Sequence, residues 1–164
     1  MSIANVKLFN IEDYHRLTRL GFFGAEERVE LVRGQFIEMV ATVTAYEVCI
    51  TKLIRELILL VGNRSTIRVQ SPIILPPDSE PEPYFTIAVD RYDNYLRNHP
   101  IAADILLVIE VSDSSLNYDR EIKLPLYAEH GIVNYWLFNL LDNCLESCAE
   151  PYQKPQGEFS YRLK

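Results

Sequence analysis

Residues 105–111 read ILLVIEV, an almost unbroken apolar run that contains one acid, Glu110, close to its end. Such a run is typical of a central β-strand that is covered on both faces of a sheet. Burial of an unpaired carboxylate is unfavourable, so Glu110 must be paired, ligated, or placed at the open rim of the sheet. One interpretation makes it a functional carboxylate. The other leaves it at the strand exit, hydrogen-bonded to Ser112 or Ser114, and the run alone does not separate the two.

The rest of the pattern predicts a mixed α/β domain with a central sheet flanked by helices. Pro72 lies inside one predicted strand and indicates an edge position or a bulge there. Pro125 must lie in the first turn of the last helix or kink it. The predicted elements begin with a helix capped by Asn10, a hairpin at 28–40 and a helix at 46–61 that is ended by Gly62. Strands at 67–75, 85–89 and 105–111 follow. A helix from Asp119 to His130, a strand at 135–138, and a hairpin that joins 144–148 to 159–163 across 151–157 complete the chain.

Length and charge limit the classes of protein to which this chain can belong. The 164 residues fit a single domain over 1–164, and the net charge of −7 argues against binding nucleic acid or a membrane through bulk charge. No apolar run reaches the ~20 residues that span a bilayer, and the first residues do not resemble a secretory leader. Cys144 and Cys148 are read either as half of a zinc site or as ordinary thiols, and three cysteines fit a reducing cytoplasm.

Two spacings bring polar side chains together, one within the strand that carries Glu110 and one in the helix that follows it. Glu110 and Ser112 share one face of a strand, because residues i and i+2 do. Asp119 and Lys123 are four residues apart and meet as a pair on an α-helix. A lysine near such a carboxylate could steady a developing phosphate charge, whereas the alternative is a surface salt bridge of little energetic effect.

Several segments, in order along nearly the whole chain, resemble the Uma2 family of restriction-endonuclease-like proteins, which is abundant in cyanobacteria. The segments are RVELVRG at 28–34, QSPIIL at 70–75, SEPEP at 79–83, VIEVSDSSL at 108–116, YDREIKLPLYA at 118–128, and residues 131–136. The resemblance implies a PD-(D/E)XK nuclease fold with a central four-stranded mixed sheet flanked by helices, preceded here by the N-terminal helix and hairpin.

The resemblance also implies the site. Glu110 is the strand carboxylate that binds Mg²⁺ or Mn²⁺, and Ser112 stands at the usual lysine position. Lys123, from the following helix, substitutes for that lysine, and Asp119 orients Lys123 or a water molecule. Glu30 is an accessory acid near the site.

The chain departs from the family pattern at three places. Tyr84 stands where relatives carry the metal-binding aspartate, and a neutral phenol is a poor ligand for hard cations. Glu82 shares its face but lies ~6.6 Å away at one strand repeat, too far to replace it. Tyr46 stands where many relatives carry a histidine, and the chain ends at Lys164 where relatives continue, which suggests a domain cut short.

Two functions therefore compete. One is a metal-dependent DNA endonuclease with an incomplete centre, whose activity is weak or lost. The other is a non-catalytic nuclease-fold binding or regulatory protein, for which a homodimer built on exposed apolar strands is expected. A third and weaker interpretation pairs Glu110 with another acid for general acid–base chemistry on a different substrate. A local basic patch for DNA would come from Arg64, Arg68, Arg91 and Arg97.

Overall fold

The computed structural model describes residues 5–39 and 44–163. Over those residues the chain forms a six-stranded sheet, a separate two-stranded hairpin, and helices that pack against the sheet. The elements are α1 (Ile11–Arg19), β1 (Val29–Val32), β2 (Gln35–Glu38), α2 (Thr44–Val61), β3 (Ser65–Val69), β4 (Phe85–Val89), β5 (Ile105–Ser112), α3 (Leu116–Tyr118), a π-helical turn (Asp119–Lys123), α4 (Leu124–Glu129), β6 (Asn134–Asn139), β7 (Cys144–Gln153) and β8 (Phe159–Leu163).

The sheet order is β3-β4-β5-β6-β7-β8, so β5 lies in its interior as the apolar run predicted. The β5–β6 pair is parallel and the other pairs are antiparallel, which confirms a mixed central sheet. The sheet has six strands rather than the four that the family resemblance implied. The last two strands belong to the C-terminal hairpin that extends the sheet beyond β6.

Both faces of β5 are covered. On one face, Ile109 and Val111 pack with apolar residues of α2 and β4, among them Ile50 and Phe85. On the other face, Val108 packs into a second apolar cluster that includes residues of α4. This two-sided burial explains why the sequence of β5 is apolar throughout except at its carboxyl end.

The predicted strand at 67–75 was wrong in its second half. β3 ends at Val69, because Gln70 adopts a left-handed conformation (φ 43°) and Pro72 has no N–H to donate. Ile73 and Leu75 then leave the sheet and are buried beneath it. β3 is an edge strand of the sheet, and Pro72 lies beyond its end.

The last helical segment begins earlier than predicted. It starts at Leu116, passes through the π-helical turn and ends at Glu129, so that Asp119 lies inside it. Pro125 is the second residue of α4, directly after the π-helical turn, where the helical bonding pattern changes.

The connection of the final hairpin was also predicted too early in the sequence. Pro151 lies within β7 opposite Tyr161, beyond the point where β6 stops pairing with β7.

The β1–β2 hairpin turns through Arg33 and Gly34, both with positive φ (49° and 74°). A Cβ on Gly34 would lie 2.7 Å from Leu8 Cβ and 2.9 Å from the Phe9 carbonyl oxygen. Glycine is therefore required here both for the turn and for the approach of the N-terminal segment. Within the described ranges, no helix is long and apolar enough to cross a bilayer.

Candidate functional site

Glu110 lies near the carboxyl end of β5, and its side chain is almost fully buried (1% exposed). Its neighbour Ile109 points toward α2, so Glu110 points to the opposite face, where the helical segment 116–129 packs. Its partners are not Ser112 or Ser114, so the strand-exit interpretation is wrong. The carboxylate instead binds groups from other elements.

The most direct partner of Glu110 is Lys123, which is also buried (5% exposed). Lys123 Nζ lies 3.0 Å from Glu110 Oε1 and 3.1 Å from Glu30 Oε2. Glu30 is contributed by β1 of the separate hairpin. Three elements therefore bring two carboxylates and one ammonium together, in a site where ion pairs are weakly screened by water.

Two further donors complete the surroundings of Glu110. Tyr127, on α4, donates its hydroxyl to Glu110 Oε1 over 2.7 Å, and the backbone N–H of Tyr84 donates to Oε2 over 3.4 Å. Burial raises the pKa of Glu110 to about 7, against the opposing effects of Lys123 and the Tyr127 hydroxyl. Both oxygens of this carboxylate are thus already engaged.

The charge of Lys123 is fixed by its carboxylate neighbours. Burial alone would lower the pKa of this lysine, but Glu110, Glu30 and Asp119 together hold that pKa well above its usual value. Lys123 therefore remains an ammonium ion at neutral pH and acts as a permanent cation inside the site.

Asp119 occupies the neighbouring position but binds different partners. Its Oδ2 accepts hydrogen bonds from Ser112 (2.5 Å) and Ser115 (2.8 Å). The ion pairs of Lys123 are made with Glu110 and Glu30 rather than with Asp119. Asp119 and Lys123 lie at the two ends of the π-helical turn, and the predicted ion pair between them is not formed.

Tyr84 lies beside Glu110, just before β4 begins. Phe85 pairs with Ile109 at the end of the antiparallel β4–β5 register, and Tyr84, the residue before β4, donates its backbone N–H to Glu110. The Tyr84 ring packs edge-on against Tyr46 of α2, with ring centroids 4.8 Å apart. Burial raises the pKa of Tyr84 above its ordinary value, so its phenol is neutral at physiological pH.

These side chains line a cleft of about 410 Å³. Besides Lys123, its wall carries five acids, Glu30, Glu38, Glu110, Asp113 and Asp119, together with the rings of Tyr46, Tyr84 and Tyr118. The wall is strongly acidic, and its one lysine is already paired.

The donor set of the cleft does not suit Mg²⁺ or Mn²⁺. Those cations need several free oxygen ligands, preferably carboxylates. Here an ammonium lies between Glu110 and Glu30, and Tyr84 supplies a neutral phenol. Among residues 5–39 and 44–163, no group of three or more His, Cys, Asp or Glu side chains is arranged to hold a metal ion.

The structure brings together all five side chains that were predicted to form the site. They are Glu110, Lys123, Ser112, Asp119 and Glu30. Glu82 does not replace the missing aspartate. Its side chain pairs with Arg28, and only its backbone N–H reaches the site, donating to Glu30 over 3.0 Å. Tyr127 was missed, although it lies four residues after Lys123 on the same helical segment, a spacing that could have revealed it.

Comparison with known proteins places this arrangement in a class. A crystal structure described as "a putative nuclease belonging to DUF820 from Anabaena variabilis" superimposes with a TM-score of 0.61, at 13% identity, over 90% of this chain and 88% of that one. The fold is thus that of a nuclease-like α/β protein. The Uma2 family model, described as "Putative restriction endonuclease", matches residues 11–161, and the chain belongs to that family. No curated protein matches it.

Proposed function

We propose that the cleft is a metal-dependent DNA endonuclease centre that has become incomplete, so that phosphodiester cleavage is weak or lost. In this proposal Glu110 and Lys123 keep their places as the strand carboxylate and the catalytic lysine. Ser112 stands at the usual lysine position, Asp119 orients Lys123 or a water molecule, Glu30 is an accessory acid, and Tyr84 replaces the metal-binding aspartate. The family and the nuclease-like fold support the general class of activity.

One observation carries the loss of activity. The Lys123 ammonium lies within 3.1 Å of both Glu110 and Glu30 and neutralises the carboxylates that a divalent cation would need. Without such a cation, the remaining acids of the wall repel the phosphates of DNA. The acidity of the cleft therefore opposes DNA binding unless metal affinity is restored.

A second candidate is a non-catalytic nuclease-fold protein that acts by binding or regulation. The Tyr46–Tyr84 contact favours it, because two packed rings occupy the side of the cleft where relatives place a histidine and an aspartate. A homodimer and a cytoplasmic location remain predictions; light scattering of the purified chain measures the first, and cell fractionation the second.

The substitution Tyr84→Asp tests the proposal, with Tyr84→Asn as a control of matched size and no charge. We expect the wild-type chain to show no tight Mn²⁺ site by calorimetry and little nicking of plasmid DNA. Tyr84→Asp should bind Mn²⁺ and nick plasmid, Tyr84→Asn should do neither, and Glu110→Gln in the Tyr84→Asp background should abolish both gains.

Two outcomes would contradict the proposal. If the wild-type chain nicked DNA as fast as Tyr84→Asp, the centre would not be incomplete. If Tyr84→Asp folded, bound no Mn²⁺ and cut nothing, the assignment of the centre would be wrong and the non-catalytic candidate would stand.

A further inference from the structure

A second polar cluster lies on β3 and β4, apart from the acidic cleft. Arg68 of β3 and Thr86 of β4 are direct partners in the antiparallel register, so their side chains are neighbours on one face of the sheet. Thr86 is fully buried (0% exposed). In the described part of the chain, neither Thr86 Oγ1 nor Arg68 Nε has a hydrogen-bond partner, although both atoms are buried. Buried polar groups nearly always form hydrogen bonds, so we expect a hydrogen-bond acceptor for Thr86 Oγ1 and Arg68 Nε.

The charge around Arg68 points to an anion. Arg68 Nη2 donates to His99 Nδ1 over 2.9 Å, and the guanidinium carbon lies 5.8 Å from the centre of the Tyr95 ring. Burial lowers the pKa of Arg68, and burial together with Arg68 lowers the pKa of His99. Within the described residues, no carboxylate lies within 4.0 Å of the Arg68 guanidinium.

The nearby acids are already committed to other partners. Asp93 pairs with Arg91 at 3.1 Å, and Asp104 accepts from the backbone N–H of Ile101 at 3.1 Å. Arg91 also stacks on the Tyr95 ring, 4.6 Å from its centre, which leaves this cluster cationic on the side of Arg68. The other two arginines of the predicted basic patch do not join it in this way, since Arg64 caps the end of α2 and Arg97 is exposed.

We propose that Arg68, Thr86 and His99 form a binding site for a phosphate group, either free inorganic phosphate or a phosphate of a DNA backbone. A guanidinium that lacks a carboxylate partner suits a phosphate oxygen, and the hydroxyl of Thr86 supplies a neutral donor beside it. The DNA arm of this inference rests on the proposed function.

Phosphate titration, followed by NMR of the arginine side-chain Nε–Hε signals and by calorimetry, tests the site directly. We expect the Arg68 signal to shift on addition of inorganic phosphate, and Arg68→Gln to weaken binding at least tenfold. Thr86→Val, which removes only the hydroxyl, should weaken it severalfold, and Thr86→Ser should restore it. Arg55→Gln is the matched control, because Arg55 is an exposed arginine of α2, on the other face of the sheet.

The alternative occupant is a single water molecule that satisfies both donors. In that case phosphate would leave the Arg68 signal unmoved, and the proposal would be overturned. It would also be overturned if Arg55→Gln weakened phosphate binding as much as Arg68→Gln. If Arg68→Gln failed to fold, Arg68→Lys would keep the charge and remove Nε, and its binding should still fall.

A single-stranded DNA oligomer in EDTA separates the two sources of phosphate. Loss of about one unit from the salt dependence of DNA binding in Arg68→Gln supports a backbone contact. Binding of inorganic phosphate without DNA supports a site for free phosphate. Neither result depends on cleavage, so failure of the Tyr84→Asp experiment would leave this site standing, and its own failure would leave the cleft unaffected.

Discussion

Lys123 Nζ lies 3.0 Å from Glu110 Oε1 in a site where both side chains are at least 94% buried. The same ammonium lies 3.1 Å from Glu30 Oε2, so one lysine compensates two buried carboxylates. Because the Lys123 ammonium already compensates both carboxylates, the site does not require a metal ion for that purpose. This relationship underlies both the proposed loss of metal-dependent cleavage and the following predictions on stability.

Removal of the lysine charge should destabilise the fold strongly. We expect Lys123→Met to lower the free energy of unfolding by about 3–5 kcal/mol, because it leaves two buried carboxylates without a counter-ion. Urea denaturation at pH 7.5 measures the change. Lys154→Met is the control, since its exposed pair with Glu158 is worth at most about 1 kcal/mol. Adding Glu110→Gln to Lys123→Met should recover part of the loss; if it lowered stability further, the charge argument would fail.

The stability of the protein should fall as pH rises through the titration of Glu110. The folded chain holds this proton with a pKa of about 7 against an ordinary value of 4.5, so it binds the proton more tightly than the unfolded chain does. The resulting stabilisation, at most about 3 kcal/mol, is complete below pH 4.5 and is lost between there and pH 7. Denaturation at pH 5, 6, 7 and 8 should show this loss in the wild type and a flatter profile in Glu110→Gln. If stability fell equally steeply with pH in the wild type and in Glu110→Gln, the loss could not be assigned to Glu110.

The Tyr127 hydroxyl should tune the acidity of Glu110. Because it donates to Oε1 and favours the charged form, Tyr127→Phe should move the pKa of Glu110 above about 7. Carbon-13 NMR of labelled glutamate side chains follows this titration. Tyr161→Phe is the control, because its hydroxyl donates to the Ile132 carbonyl, and it should leave the Glu110 titration in place. Identical midpoints in Tyr127→Phe and wild type would show that the hydrogen bond is without electrostatic effect.

Gly34 should be irreplaceable for the hairpin that carries Glu30. Gly34→Ala combines a left-handed backbone with contacts of 2.7 Å to Leu8 Cβ and 2.9 Å to the Phe9 carbonyl. Gly131→Ala has the same φ of 74° in open space and should cost only the backbone strain, about 1–2 kcal/mol. Thermal denaturation should therefore show a larger loss for Gly34→Ala. If Gly34→Ala and Gly131→Ala lost similar amounts of stability, the N-terminal segment would be able to move away from residue 34 at no cost in free energy.

Much of the fold follows from local patterns in the sequence. The period of two in β5 sets which side chains share a face, so Glu110 and Ser112 could be placed together in advance. The Asn10 cap and the glycine turn of the hairpin are likewise local signals, and the structure confirms both of them. The spacing drew attention to Lys123 but left a surface salt bridge as the alternative, and the resemblance to Uma2 supplied its assignment to the site.

The composition of the site was decided by tertiary structure. The sequence places Glu30 and Lys123 more than 90 residues apart, and only the packing of the hairpin against the helical segment brings them within 3.1 Å. Lys123 pairs with the two glutamates rather than with Asp119, and no local spacing rule predicts that choice of partners. Local preferences fix what each element presents on its faces. Which faces meet, and hence which carboxylates share one ammonium, depends on how those elements pack.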